Sequence, residues 1–307
     1  MELRQILVKN LKKIMQNDEN IIIINADLAK PGGFDELIGL FPDRCINVGV
    51  AEQNMAGIAA GLSSYNMIPL IFSFSPFVTR RICDQIAVSI CYAQQCVKIF
   101  GFDPGITAQS NGGTHMSFED ISIMRSFPNM IVFEPCDEFQ FAAAIPELIY
   151  TKKSVYTRMF RKELPKIFNE NYKFDFNRPD IIQSGSDVSM FCSGIMVSET
   201  LQAAKKLKLL GINAEIVNVH TIKPINIQKI VGSAQKTKKV VTIENHSIIG
   251  GLYSAISEIL CEHCPTKARS IGVRDEFGQV GTLNSLKKIY SMTSDDILDC
   301  VVEFIEN

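Results

Sequence analysis

"NVGVAEQNMAGIAAGLSS", residues 47–64, holds a single acid, Glu52, at the point where a strand-like apolar run gives way to very small residues. An acid in a first helical turn is favoured by the helix dipole and by the N–H groups that have no partner there. That explains a glutamate but not its company of Ala56, Gly57, Ala59, Ala60 and Gly61. Glycine inside a helix costs about 1 kcal/mol relative to alanine, and its use here lets a second backbone come close. The stretch therefore predicts a strand, a helix opening at Glu52, and a close neighbour beside the carboxylate.

"NIIIINADL" (20–28) is a short continuous apolar run, the mark of a strand buried on both faces. "MIPLIFSFSPF" (67–77), "CVKIFGF" (96–102), "MIVFEP" (130–135) and "SVYTRMF" (154–160) repeat it, with helical patterns between them at about 80–94 and 137–150. Strands alternating with helices at crossover spacing predict an α/β fold with a largely parallel sheet. Residues 162–184, "KELPKIFNENYKFDFNRPDIIQS", break the pattern. A second α/β unit starts at "DVSMFCSG" (187–194), with a helix over about 197–210 closed by Gly211, then "AEIVNVH" (214–220), "KVVTIEN" (239–245) and an apolar helix near 251–261. The expectation is two domains, each a mostly parallel sheet flanked by helices: 1–163, a linker over 164–184, and 185–307.

The bulk properties exclude several classes. Lys and Arg total 31 against 33 acids, a net charge of −2, so nothing suggests nucleic acid or an anionic membrane surface. No apolar run reaches the length of about 18 residues that a membrane span needs. The amphipathic start, MELRQILVKNLKKIM, carries an acid at position 2 and reads as a first helix rather than a signal peptide. Nine cysteines, an odd number set mostly in apolar runs, read as free thiols of a cytoplasmic protein. The CxxC pair Cys261/Cys264 has no second pair, and no metal site is expected on this chain.

"NVGVAEQNMAGIAAGL" resembles the pyrimidine-binding domain of transketolase-like, thiamine diphosphate-dependent enzymes, and further segments agree in order. "FSFSPFVTRRICDQI" (72–86) is similar to the family's aromatic segment. "GITAQSNGGTHMSFEDISIMRSFPNMIVFEPCDE" (105–138) is similar to its histidine loop and the strand after it. "VYTRMFRKELP" (155–165) is similar to its substrate-arginine segment, and "TIKPIN" (221–226) with "ENHSIIGGL" (244–252) to its C-terminal domain. The resemblance spans nearly the whole chain. It implies that Glu52 bonds a ring nitrogen of the cofactor's aminopyrimidine and promotes the tautomer that takes the thiazolium proton.

It also implies the other site residues. Phe74 and Phe77 stack on or wall the aminopyrimidine, although any Phe in such a run also suits a core, and one of Phe72, Phe74 and Phe77 is core. Arg81, with Arg80, faces the cofactor site. His115, in the Gly-rich "NGGTHMS", contacts the reacting oxygens of the sugar; a loop His beside two glycines is poor core filler. Arg161, with Arg158 three residues earlier, binds the acceptor's phosphate, against the plainer reading of a solvated basic patch. Two positions depart from the family: Asn111 stands where many relatives carry Asp, and Asp103 where classical transketolases place a phosphate-binding His. His246 reads as structural, and His220 and His263 carry no signal.

No Gly-Asp-Gly, the family's diphosphate motif, occurs in the sequence. The resemblance thus implies the C-terminal subunit of a split transketolase that transfers a two-carbon ketol unit between sugar phosphates. Thiamine diphosphate would be shared with an N-terminal subunit that binds most of the Mg²⁺, in an α2β2 assembly. The competing readings are the β subunit of a 2-oxoacid dehydrogenase first component or a deoxyxylulose-phosphate synthase-like enzyme. A non-catalytic scaffold that kept the fold is the reading of another class.

Overall fold

The computed structural model describes residues 1–306. The chain forms two compact units: Met1–Pro104 with Ile123–Phe133 and Asp137–Phe174, and Gly105–Ser122 with Glu134–Cys136 and Asp175–Asn307. Each is an α/β unit with a mostly parallel sheet, the expected fold class.

Six strands of the first unit are β1 (Ile21–Asn25), β2 (Cys45–Asn47), β3 (Ile68–Phe74), β4 (Lys98–Phe102), β5 (Met130–Phe133) and β6 (Ser154–Met159). They lie side by side in the order β5-β6-β4-β3-β1-β2, all parallel. β1, β4, β5 and β6 are buried at every position, as continuous apolar runs covered on both faces should be. Phe72 is core: its ring stacks on Phe34 at 4.0 Å between centroids and on Phe102 at 5.5 Å. Helix Glu138–Tyr150 is capped by Asp137, which accepts a hydrogen bond from the Gln140 N–H at 2.8 Å.

The helix expected over 80–94 is shorter and of another kind. Residues 75–82 form turns, Cys83 and Asp84 are α-helical, and Gln85–Tyr92 is wound as a π-helix. Ala93 N–H reaches Val88 O, and Gln95 N–H reaches Ile90 O, each five residues back. Ile82, Ile86 and Ile90 are fully buried at a strict four-residue spacing.

The second unit holds β7 (Asp180–Gln183), β8 (Val188–Cys192), β9 (Ala214–Asn218), β10 (Thr221–Lys223), β11 (Lys239–Ser247) and β12 (Lys267–Val273). Its five-stranded sheet runs β12-β11-β8-β9-β7, parallel except for the edge strand β7. Helices Met196–Leu209, Ile227–Thr237 and Leu252–His263 flank it, and Gly211, at φ +80°, follows the first of them. Phe191, Val217, Ile230, Val240 and Ile256 centre the core. All nine cysteines are free thiols, and no helix of the described residues is long and apolar enough to cross a membrane.

Candidate functional site

In an open parallel sheet, ligands gather at the carboxyl ends of the strands. Glu52 follows β2, Phe74 closes β3 with Phe77 three residues on, Asp103 follows β4 and Arg161 follows β6. One edge of the first unit therefore carries most of the polar and aromatic residues singled out from the sequence.

Helix Glu52–Ser64 begins where the sequence places it. Its N-cap, Ala51, offers no side-chain bond, so Glu52 supplies the only acid of the first turn. Glu52 is 4% exposed, and its Oε1 accepts a hydrogen bond from Arg81 Nη1 at 2.8 Å. The arginine is half open to solvent, with 44% of its side chain exposed. Its guanidinium lies 4.0 Å above the Phe77 ring, and Phe77 meets Phe74 edge to face, with centroids 6.2 Å apart and planes at 90°. On the far side the Arg161 guanidinium sits 4.9 Å over Phe74. Glu52, Arg81, Phe77, Phe74 and Arg161 thus form one continuous array. Beside it, Val50, Ala51, Glu52, Gln53, Asn54 and Arg81 line an open cavity of about 430 Å³.

Arg161 is not a solvated basic group. Its Nε and Nη2 donate to Asp103 Oδ2 at 2.9 and 2.6 Å, and its backbone N–H donates to Asp103 Oδ1 at 3.1 Å. Nη1 donates to the Pro31 carbonyl at 2.9 Å, which also accepts from Arg4 Nη1 at 3.1 Å. Asp103 is held for this pairing by a left-handed backbone, φ +48°, and by its N–H bond to Met159 O at 2.9 Å. Arg158 lies inside β6, opposite Gly101, and is 1% exposed, so the solvated-patch reading fails for it as well.

His115 and Asn111 belong to the second unit, on segment 105–122. Asn111 is exposed, while His115 is half-buried with Nδ1 3.0 Å from Thr114 Oγ1. The segment bends at Gln109 (φ 48°, ψ −113°). The structure thus joins Glu52, Phe74, Phe77, Arg81 and Arg161 in one array and carries Asn111 and His115 on the other unit. The Asp103 fork was hidden from the sequence, because its two residues stand 58 positions apart.

The array suits a planar, electron-poor heteroaromatic ring. It offers a buried carboxylate that can hydrogen-bond a ring nitrogen, and two aromatic faces at right angles to clasp the ring. Among the described residues no group of three or more His, Cys, Asp or Glu side chains is placed to hold a metal ion.

A paired-sheet chain with such an array at the carboxyl edge of its first sheet has the build of a thiamine-dependent transferase subunit. The sequence matches the profile of the transketolase pyrimidine-binding domain over residues 1–166 and that of the transketolase C-terminal domain over 178–297. The chain belongs to the transketolase family. It is 45% identical, over 99% of its length and 94% of the relative's, to the 6-deoxy-6-sulfo-D-fructose transketolase subunit SqwH of Clostridium sp. strain MSTE9. It is 37% identical to a putative transketolase C-terminal section from Methanocaldococcus jannaschii, covering 93% of this chain and 90% of that one. Among solved structures, an inactive β4 tetramer of a split-gene transketolase superposes with a TM-score of 0.91 at 35% identity, covering 100% of this chain and 98% of that one.

Proposed function

We propose that the chain is the C-terminal subunit of a split transketolase. It moves a two-carbon ketol unit between sugars and works only when joined to an N-terminal subunit that supplies the diphosphate- and Mg²⁺-binding half, in an α2β2 assembly. The observation that carries this reading is the buried Glu52 carboxylate beside the right-angled Phe74/Phe77 pair. Thiamine diphosphate, when bound, supplies the nucleophilic carbon and the electron sink for the two-carbon unit. Glu52 is the group that holds a proton against the pyrimidine nitrogen. Phe77 and Phe74 fix the plane of that ring and exclude water from it. Arg81, paired with Glu52 in the isolated chain, moves aside or turns its free donors toward the cofactor. His115 donates a hydrogen bond to the oxygens of the sugar, where charge grows as bonds change, and Asn111 bonds a sugar hydroxyl. Arg161 acts at the far end of the substrate, whereas Arg158, expected beside it, is fully buried within β6 and does not reach the substrate.

The names of two relatives support a substrate class. One acts on 6-deoxy-6-sulfo-D-fructose, and another, 31% identical, is an apulose-4-phosphate transketolase subunit from Actinobacillus succinogenes. Both are sugars with an anionic end, and a sugar of this kind is the proposed substrate. The test is co-purification of the chain from its native cell, then ketol transfer from xylulose 5-phosphate with thiamine diphosphate and Mg²⁺. A co-purifying subunit that bears Gly-Asp-Gly and confers activity is the expected result. Full turnover by this chain alone would overturn the split arrangement, and decarboxylation of pyruvate by the complex would replace ketol transfer with the 2-oxoacid reading.

A further inference from the structure

The sequence gives His246 no role beyond structure, yet the end of β11 is joined directly to the loop that carries Asn111 and His115. We propose that Asn245 and His246 are positioning residues that tether both ends of segment 105–122 and so aim His115. The proposal rests on the reading of His115 given above.

β11 leaves its ladders at this point. Its register with β8 ends at Ile243 opposite Cys192, and its register with β12 shifts between Ile243 and Ser247. Residues 244–246 therefore stand off the regular ladder, as in a bulge, which re-aims side chains. All three side chains are nonetheless fully buried. Asn245 Oδ1 accepts from the Ile106 N–H at 2.9 Å, at the start of the segment. Ser247 N–H donates to Phe118 O at 3.0 Å, and His246 Nε2 accepts from the Ile121 N–H at 3.2 Å, at its end. Gly105, at φ +57°, has no room for a Cβ because Asn245 fills the space. Between these anchors lie Asn111 and His115.

The bulge is itself fixed from behind. Both Glu244 oxygens accept from the first turn of helix Leu252–His263, from Leu252 N–H at 2.6 Å and Tyr253 N–H at 2.9 Å. Gly251 must lack a side chain, since a Cβ there would strike Glu244 and His246. The hydrogen bonds also set the tautomer of His246. Nδ1 lies 2.6 Å from the Ser247 carbonyl, which can only accept, so Nδ1 carries the hydrogen and Nε2 presents its lone pair to Ile121. The ring is thus an acceptor locked in place. Its loss would leave the Ile121 amide buried without a partner and free the C-terminal anchor of the loop.

The test compares His246→Ala, His246→Gln and Asn245→Ala in the full chain and in the complex with its N-terminal subunit. Amide exchange in the full chain should speed up about tenfold or more across residues 106–121 in His246→Ala and Asn245→Ala, while β8 and β9 keep wild-type protection. In the complex, kcat should fall about tenfold or more with little change in KM, the mark of an interaction lost in the transition state. His246→Gln, whose Oε1 can still accept from Ile121, should restore most of both. Unchanged exchange in the loop, or an equal rise over the whole second unit, would overturn the tether. Altered exchange with unchanged kcat would overturn its link to catalysis. Failure of the wild-type complex to transfer ketol units would reject the functional reading, and the exchange results would still decide the tether.

Discussion

Glu52 and Asp103 are the two carboxylates whose surroundings say most about chemistry, and each has an arginine partner of different character. Arg81 reaches Glu52 through one hydrogen bond from an open side chain, so the partner can be exchanged when a ring nitrogen arrives. Glu52→Gln keeps a hydrogen bond to Arg81 but cannot take up the proton. Ketol transfer by the assembled enzyme should fall by about 10²–10⁴-fold, the usual worth of a placed acid–base group, while the melting temperature of the isolated chain stays near wild type; activity within twofold of wild type would remove Glu52 from the mechanism. Asp103, by contrast, grips the Nε and Nη2 edge of Arg161 with one oxygen. That edge is the one a phosphate would take in the same fork. Asp103→Asn keeps an acceptor for the Arg161 N–H and removes the competing charge. KM for a phosphorylated sugar should then drop about tenfold, equivalent to about 1.4 kcal/mol. An unchanged or higher KM, measured by steady-state kinetics, would show that Arg161 does not meet the anionic end.

At the scale of elements, the strands and the helix after Glu52 were legible because burial imposes composition: runs such as "NIIIIN" have few alternatives to a covered parallel strand. The π-wound Gln85–Tyr92 was not, because its apolar spacing of four also fits an ordinary helix. The histidine loop was legible as a motif, but its grouping with the second unit through Asn245 and His246 was not. Contacts 125 and 139 residues apart leave no periodic trace. His220 leaves no trace in the sequence for the same reason. It is fully buried after β9, with Nε2 2.9 Å from the Arg178 carbonyl, so that nitrogen carries the hydrogen, and with Nδ1 2.8 Å from Thr221 Oγ1. Burial pushes its pKa down from 6.5 to about 4. The folded state therefore keeps His220 neutral at a pH where the unfolded chain protonates it. Stability from this group is intact above about pH 6.5 and is lost progressively as pH falls toward 4, by about 3 kcal/mol in all. Urea unfolding of the isolated chain at pH 7.5 and 4.5 should show this slope, and His220→Gln should flatten part of it. Equal slopes for the two proteins would contradict the buried neutral imidazole.

The whole molecule has one feature that its own fold does not account for. Gly57 and Gly61 sit four apart on one side of helix Glu52–Ser64, exposed, and a Cβ added at either would touch nothing within 4 Å. Within this chain the two glycines gain nothing, while each weakens the helix by about 1 kcal/mol relative to alanine. Nearby, Val50, Tyr65, Val88 and Tyr92 are also exposed. Exposed apolar groups around a helix with no side chains at two positions suit the approach of another subunit at backbone distance, and the split enzyme proposed above needs such an approach next to Glu52. The consequence separates folding from assembly. Gly57→Ala with Gly61→Ala should stabilise the isolated chain by about 2 kcal/mol in urea, from two propensity gains of about 1 kcal/mol each. Replacing both glycines by leucine should leave the chain folded, with the exposed side chains in solvent, yet abolish co-purification with the N-terminal subunit and, with it, ketol transfer. If the leucine variant assembles and turns over as the parent does, the helix faces solvent in the working enzyme, and the neighbour of Glu52 must come from another side.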